Sequence, residues 1–299
     1  MSLAESVFQP EDAEFFEREL RPFVPDRVFD AHAHLWTADY EASMRGRHSI
    51  PDALRGAADL DRYRRLIDGL HPGRRCSALF LPKPLKAELA PRESAWLAEQ
   101  AARDRSCRAL YLARPEDDPD WLRAEVRRLG LHGLKCYHVL ARTTPTWEAD
   151  IPDYLPEPLA AAADAEGWVI TLHLVKARAV ADPSNQYWIR RYCERYPRLR
   201  LILAHAARSF QPAHAFEGLP ALADLPNLYA DTSAVCDAAA LQAVLRILGP
   251  GRVLYGSDFC ASFFRGRSVA AADSFLWLYG HTPVWQEKHR ALRPVLIGL

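Results

Sequence analysis

No segment of the 299-residue chain approaches the roughly 18 consecutive apolar residues that a membrane-spanning helix requires. The opening stretch MSLAESVFQPEDAEFFEREL is acidic, without the basic n-region and apolar h-region of a secretory signal. Net charge is missing as well. Lys and Arg (38) balance Asp and Glu (38), so no overall field draws the chain to nucleic acid or to an anionic membrane. The six cysteines are scattered, with no C-x-x-C pair, and read as reduced core thiols of a cytoplasmic protein. No linker, internal repeat or low-complexity tract divides the sequence. The expectation is one domain over 1–299 that acts on a small molecule, with no nucleic-acid or membrane partner.

What is there is alternation. Short apolar, β-branched segments recur at 27–34, 76–83, 107–115, 131–138, 168–175, 199–206, 227–234 and 252–259. Several are nearly continuous hydrophobic runs, as expected of parallel strands covered on both faces. Amphipathic segments lie between them at 59–70, 93–104, 118–130, 158–167, 185–197 and 237–249. Asp118 and Asp237 stand where N-caps belong, and Gly130, Gly167 and Gly249 where helices stop. Eight strands alternating with helices predict an α/β fold of the (β/α)8 TIM-barrel type; a doubly wound open sheet is the rival. The stretches 37–58 and 139–157 read as extended loops on the C-terminal rim, where such barrels build their sites. The stretch 207–226 is too irregular to assign.

The ionisable residues fall at one end of these strands. His32 and His34 close the first, one residue apart and therefore on the same side of a strand. Lys135 closes the fourth strand, His173 the fifth, His205 the sixth, Asp231 the seventh and Asp258 the eighth. Burying such groups without partners costs several kcal/mol each, so their convergence on one mouth has a purpose. Imidazoles and a carboxylate are the usual ligands of zinc, and three or four leave room for a water. Taken singly, each histidine is more often a hydrogen-bonded structural residue, Lys135 an ion-pair partner and Asp231 a turn cap. Cys136 and Cys260 lie beside these residues, but a thiol nucleophile is the less favoured reading. His48 and His138 are placed to touch substrate; His71, His132, His214, His281 and His289 read as surface or structural.

The motifs FDAHAH, GLKCYH, ITLHL, LILAHAAR, YADTSA and LYGSDF, in that order over residues 27–260, resemble the amidohydrolase superfamily. They are closest to the amidohydrolase-related branch with its aminocarboxymuconate-semialdehyde decarboxylase-like members. The resemblance implies that His32, His34, His173 and Asp258 bind one divalent metal, zinc in preference to manganese. It also implies that His205 is the catalytic histidine, with Asp258 sharing the proton relay. A binuclear site bridged by a carboxylated Lys135 is the alternative. The chain departs from the pattern in two places. HAARSF replaces a glycine-rich turn after the sixth strand, which brings Arg208 close to the site as a grip for a substrate carboxylate or, equally, a surface ion pair. Where a long final helix and an Asn-Ala segment are expected, the sequence ends at VLIGL. That predicts a truncated or differently built last layer, with a shortened helical shell.

The reading that follows is a metal-dependent hydrolase of an ester, lactone or amide of a small carboxylated substrate. A non-oxidative decarboxylase using the same ligands is the runner-up, and a catalytically inactive binding barrel is third. His138, Trp36, Arg208 and Arg265 are the candidate substrate contacts, with Arg267 behind them. The aromatics Phe275, Trp277 and Tyr279 suit either a homo-oligomer contact or, preferably, cover for the barrel's open flank.

Overall fold

Eight parallel strands form the frame of this computed structural model, which describes residues 8–43, 56–83, 87–279 and 295–296. They are β1 (Arg27–Leu35), β2 (Arg75–Pro82), β3 (Arg108–Ala109 and Tyr111–Leu112, interrupted at Leu110) and β4 (Gly133–Cys136). The remaining four are β5 (Val169–Leu172), β6 (Arg200–Leu203), β7 (Leu228–Asp231) and β8 (Val253–Leu254). Each pairs in parallel with the next, and the Leu110 amide on the Phe80 carbonyl (3.0 Å) carries the ladder through β3. The segment after β8 then returns to β1. The Ala31 amide donates to Tyr255 O (2.8 Å), Asp258 N to His32 O (2.8 Å) and Cys260 N to His34 O (3.1 Å). That seam closes the ring, so the (β/α)8 reading holds over the open sheet.

Seven helices follow the first seven strands: α1 (Leu60–Leu70), α2 (Ala90–Ala102), α3 (Pro119–Arg128), α4 (Glu157–Glu166), α5 (Pro183–Arg195), α6 (Pro212–Gly218) and α7 (Ala238–Leu248). The caps are as the sequence predicts. Asp118 accepts from Trp121 N (2.9 Å) and Asp237 from Ala239 N (2.8 Å), satisfying amides that the first turn leaves free. Gly167 ends α4 at φ 67°, a left-handed conformation in which a side chain is strained. The unassigned stretch 207–226 holds α6. The two rim loops are partly ordered into turns, with short helices at Ala38–Ser43 and Ile151–Tyr154.

The last layer is built differently from a helix. After β8 the chain forms an antiparallel hairpin, β9 (Arg265–Ala271) and β10 (Ser274–Tyr279), and β9 also pairs with β11 (Val295–Leu296). Phe275 and Trp277 pack on Phe210 (ring centroids 4.7 and 5.3 Å), and Tyr279 on Phe264 (5.5 Å). These aromatics therefore cover the chain's own flank. The tip of the hairpin is held by α6: Gln211 Nε2 donates to Ala272 O (2.6 Å), and His214 Nε2 meets Asp273 Oδ1 at 2.9 Å.

Two layers of apolar side chains result. A large one lies between strands and helices. A small one, Leu79, Leu81, Leu110 and Ile202 with Val169, Tyr229 and Leu254 against it, joins residues from six strands and so fills the barrel's interior. This fixes which alternate positions point inward. Leu79 and Leu81 do on β2, Val169 and by alternation Thr171 on β5, and Tyr229 on β7. All six cysteines are free thiols, and burial pushes Cys136 and Cys260 up to about 12, far from a reactive thiolate. Among the described residues no helix is long and apolar enough to cross a membrane.

β4 starts where only glycine fits. Gly133 has φ 148°, and a Cβ there would stand 1.9 Å from the Val169 carbonyl oxygen on β5. Gly133→Ala should therefore cost at least about 3 kcal/mol in urea denaturation, through strain and loss of the β4–β5 start. Gly251→Ala, where nothing lies within 4 Å, should stay within about 0.5 kcal/mol. Equal stabilities for the two would show that the strand start is placed wrongly.

Candidate metal centre

The inward columns turn from apolar to ionisable at the C-terminal mouth. On β5 the series Val169, Thr171 ends in His173; on β7 Tyr229 is followed by Asp231; on β4 Lys135 points in while Leu134 and Cys136 belong to the outer core. β1 contributes His32 and His34, both buried. The seam then delivers Asp258. The buried carboxylate of Asp30 accepts from Ser257 N (3.0 Å), Ser257 Oγ (2.5 Å), His32 N (3.1 Å) and Tyr63 OH (3.0 Å), and so ties β1 to the segment carrying Asp258. Gly256 leaves the room this needs, since a Cβ there would lie 2.8 Å from His32 Cβ.

Three histidines have their protons assigned by their partners. His34 Nδ1 donates to the Leu81 carbonyl (3.0 Å), and His205 Nδ1 to the Ser233 carbonyl (3.0 Å). His32 Nδ1 lies 2.8 Å from an Asp231 carboxylate oxygen. A neutral imidazole whose Nδ1 proton is so engaged presents a bare lone pair at Nε2. His32 Nε2 and His34 Nε2 nevertheless face each other at 3.1 Å, with Asp258 Oδ1 at 3.6 and 3.2 Å from them. Two lone pairs and a carboxylate oxygen in that arrangement repel one another unless a cation lies among them. The donor set, two imidazoles and one carboxylate, is the one divalent zinc takes, and the second acceptors that fix the rings complete the usual support. The residues present fit a metal ion.

The electrostatics agree. Burial pushes His34 down to about 3 and His205 to about 4, and takes His173 well below the ordinary histidine range, so all three are neutral ligands or acceptors. For Asp231 and Asp258 burial works upward, yet both carboxyls lie below the ordinary range: Asp231 through the Nδ1 side of His32 and the Ser233 hydroxyl, Asp258 through attraction to any positive charge held between His34 and His32. Lys135 is fully buried with no hydrogen-bond partner for Nζ, sits 4.6 Å over the Tyr137 ring, and is brought down to about 8 by burial.

The sequence-predicted residues divide into three groups. His32, His34 and Asp258 share one cluster of donor atoms, and His32, His205 and Asp231 a second. His173 lies in neither: it stacks on His138 (5.8 Å) and edge-on to His205 (4.9 Å), and its buried Nδ1 has no partner. Arg208 reaches the same side; its guanidinium lies over Phe275 (5.6 Å) and donates to Lys176 O (2.9 Å). Among the described residues no carboxylate pairs with Arg208. Trp36 is a buried wall residue whose Nε1 is spent on Gly56 O (3.0 Å). Arg265 is drawn away from the mouth, into an ion pair with Asp12 near the N-terminus. His48, His281 and His289 lie outside the described residues.

A backbone feature explains the HAARSF departure. His205, Ala206, Ala207 and Arg208 take φ of 60°, 51°, 59° and 57°, a left-handed turn without glycine. Such residues cost roughly 1–2 kcal/mol each. The turn is held because His205 N donates to Asp231 Oδ1 (3.0 Å), and it swings the His205 ring to 5.0 Å from His32. Asp231 is thus more than a turn cap: it orients His32 and anchors His205 at once.

No curated protein matches the chain. Solved structures of similar fold include a protein of Pseudomonas putida provisionally named a 2-pyrone-4,6-dicarboxylic acid hydrolase (19% identity, 79% of this chain and 84% of that one, TM-score 0.56). Another is an amidohydrolase of Bifidobacterium longum subsp. infantis (18%, 79% and 85%, 0.54). A third is a 5-carboxyvanillate decarboxylase of Novosphingobium aromaticivorans solved with bound manganese (15%, 79% and 87%, 0.53). At these identities the likeness shows the shared fold. The family model for amidohydrolases matches residues 29–293, from the first barrel strand to beyond the hairpin, and by that match the chain belongs to the amidohydrolase family.

Proposed function

We propose that the protein is a metal-dependent hydrolase acting on an ester, lactone or amide of a small carboxylated molecule. One observation carries this reading: the bare Nε2 atoms of His32 and His34 meet an ionised Asp258 oxygen within 3.6 Å. These three residues would hold one divalent ion, zinc in preference to manganese, and His173, whose ring lies outside this cluster of donor atoms, would be the fourth ligand. A bound ion of this kind polarises a carbonyl and lowers the pKa of a water towards about 7. Asp258, whose carboxyl lies well below the ordinary range, would accept the attacking water's proton and return it to the leaving group. His205 Nε2 would accept a hydrogen bond from the same water and orient it. Arg208 takes the substrate carboxylate in its planar fork, and His138 lines the same wall. In the binuclear alternative the buried Lys135 amine, carboxylated, would join His173 and His205 in holding a second ion.

A second reading keeps the same residues and makes the chain a non-oxidative decarboxylase; the likeness of fold to the manganese-containing 5-carboxyvanillate decarboxylase supports it. The two differ in product. Hydrolysis leaves all carbon in solution, whereas decarboxylation releases carbon dioxide.

Purified protein should contain about one equivalent of zinc or manganese by elemental analysis. His34→Ala should drop this to background, and Asp258→Asn should lower turnover of a responsive lactone or ester at least about 100-fold. Two equivalents, falling to one in Lys135→Ala, would establish the binuclear alternative. Carbon dioxide release without ester or lactone cleavage would establish the decarboxylase, and a metal-free protein at full activity would end both.

The same histidines make an acid-stability prediction for metal-free protein. His34, His71 and His205 are held by burial at about 3, 4 and 4, below the unfolded value near 6.5. Each contributes stability that is present above pH 6.5 and is lost as pH falls towards 4. Asp30, raised by burial to about 6, works in the opposite direction over the same window. His173 is held well below as well, and the buried histidines outnumber the raised carboxyls Asp30 and Asp117, which leaves a net loss with a limiting slope of about 1.4 kcal/mol per pH unit per uncompensated proton. Urea midpoints should fall steadily from pH 6.5 to 4.5; a flat profile would contradict the neutral, buried histidines.

A further inference from the structure

Lys83 is a cation with no task in the account so far. It follows β2 directly, two residues beyond Leu81 and four beyond Leu79, and both leucines point into the barrel. Alternation along the strand turns Lys83 the same way. It therefore stands at the mouth on β2 as His173 does on β5, at the point where an inward apolar column becomes ionisable. The β1–β2 register pairs His34 with Leu81 and Leu35 with Pro82, which sets Lys83 level with Trp36. Its ammonium lies 5.6 Å from the Trp36 ring centroid. It is partly buried, and its charge is felt by His34 and Asp258. Among the described residues it makes no ion pair and no hydrogen bond.

Arg208 is its counterpart. It follows β6, four strands from β2 in a ring of eight, and so stands on the opposite wall. It too is partly buried, and it is paired only with a backbone carbonyl and an aromatic face. Each of these cations has been taken partly out of water without a carboxylate to compensate it, an arrangement that costs stability unless a ligand supplies the anion. Lys83 acts on His34 and Asp258, and Arg208 on His138 and His173. Lys135, another buried cation without an ion pair among the described residues, lies over Tyr137 among the buried groups.

We propose that Lys83 anchors an acidic group of the substrate across the mouth from Arg208, so that the molecule bound here carries two acid groups flanking the reacting centre. This rests on the preceding reading, in which Arg208 takes one carboxylate, and it adds the second anchor and the resulting substrate class. A single-acid molecule would leave one of the two cations uncompensated.

Calorimetric titration of the full chain with benzoate, isophthalate and terephthalate tests this without turnover. At least one of the two diacids should bind about tenfold or more tightly than benzoate, the gain expected of one added charge-assisted contact. Lys83→Met, with an unchanged circular dichroism spectrum and metal content, should bring the diacids to benzoate's affinity, and Lys83→Arg should restore most of the difference. Should Lys83→Met fail to fold, Lys83→Gln and the wild-type comparison decide the matter. Equal affinity for mono- and diacids in the wild type would overturn the proposal, as would a diacid preference that survives loss of the ammonium. Repeating the titration after chelation separates the two claims. A diacid preference in a protein that never binds metal removes the hydrolase reading alone; a metal-loaded protein blind to the second acid removes the Lys83 anchor alone.

Discussion

The seam between the last barrel strand and the first is the constraint on which the rest depends. β1 carries two of the three convergent donors, and the third, Asp258, arrives more than 200 residues later on a segment that is not itself a regular strand. Backbone bonds from Asp258 and Cys260 to His32 and His34 set their relative height, and the buried Asp30 carboxylate locks Ser257 to the same strand. Barrel closure and site assembly are therefore one event. A shift of a single residue at this seam would turn Asp258 out of the cluster and break the Asp30 network together.

Electrostatically the mouth is built to be completed. Burial disfavours charge on the His34 and His205 rings, and Asp231 is held as a carboxylate by its contacts with His32 and Ser233. Each ring spends its Nδ1 proton on a carbonyl or a carboxylate, which leaves every Nε2 open. Higher on the walls, Lys83 and Arg208 lack anionic partners. The donors at the floor thus suit a cation and the walls suit an anion. The left-handed turn at His205–Arg208 is where backbone strain is spent to obtain this: it places an imidazole at the floor and a guanidinium on the wall within four residues.

Much of this was legible in the chain. Short apolar, β-branched runs marked all eight strands, and on a strand the His32 and His34 spacing required a shared face. Helix caps at Asp118 and Asp237 were readable because capping is local chemistry. The less legible features depend on tertiary closure. Asp231 looked like a turn cap, and only the ring brings it to His32, 199 positions away. Lys83 ends an ordinary strand, and its importance lies in having no partner, which no sequence pattern records. HAAR carries no glycine to announce its left-handed turn, and that turn is what brings the His205 ring to His32. Among the described residues the eighth layer is a hairpin rather than the expected helix, and its Phe275 and Trp277 find an aromatic partner in Phe210, on the loop after β6.

The central claim is that one ion sits where the first and last strands meet. Anomalous diffraction at the metal edge, on crystals grown with zinc or manganese, measures this directly. The account predicts a peak at about 2.0–2.2 Å from His32 Nε2, His34 Nε2 and an Asp258 oxygen. Loaded crystals with no peak there, or with density only between His173 and His205, would contradict it.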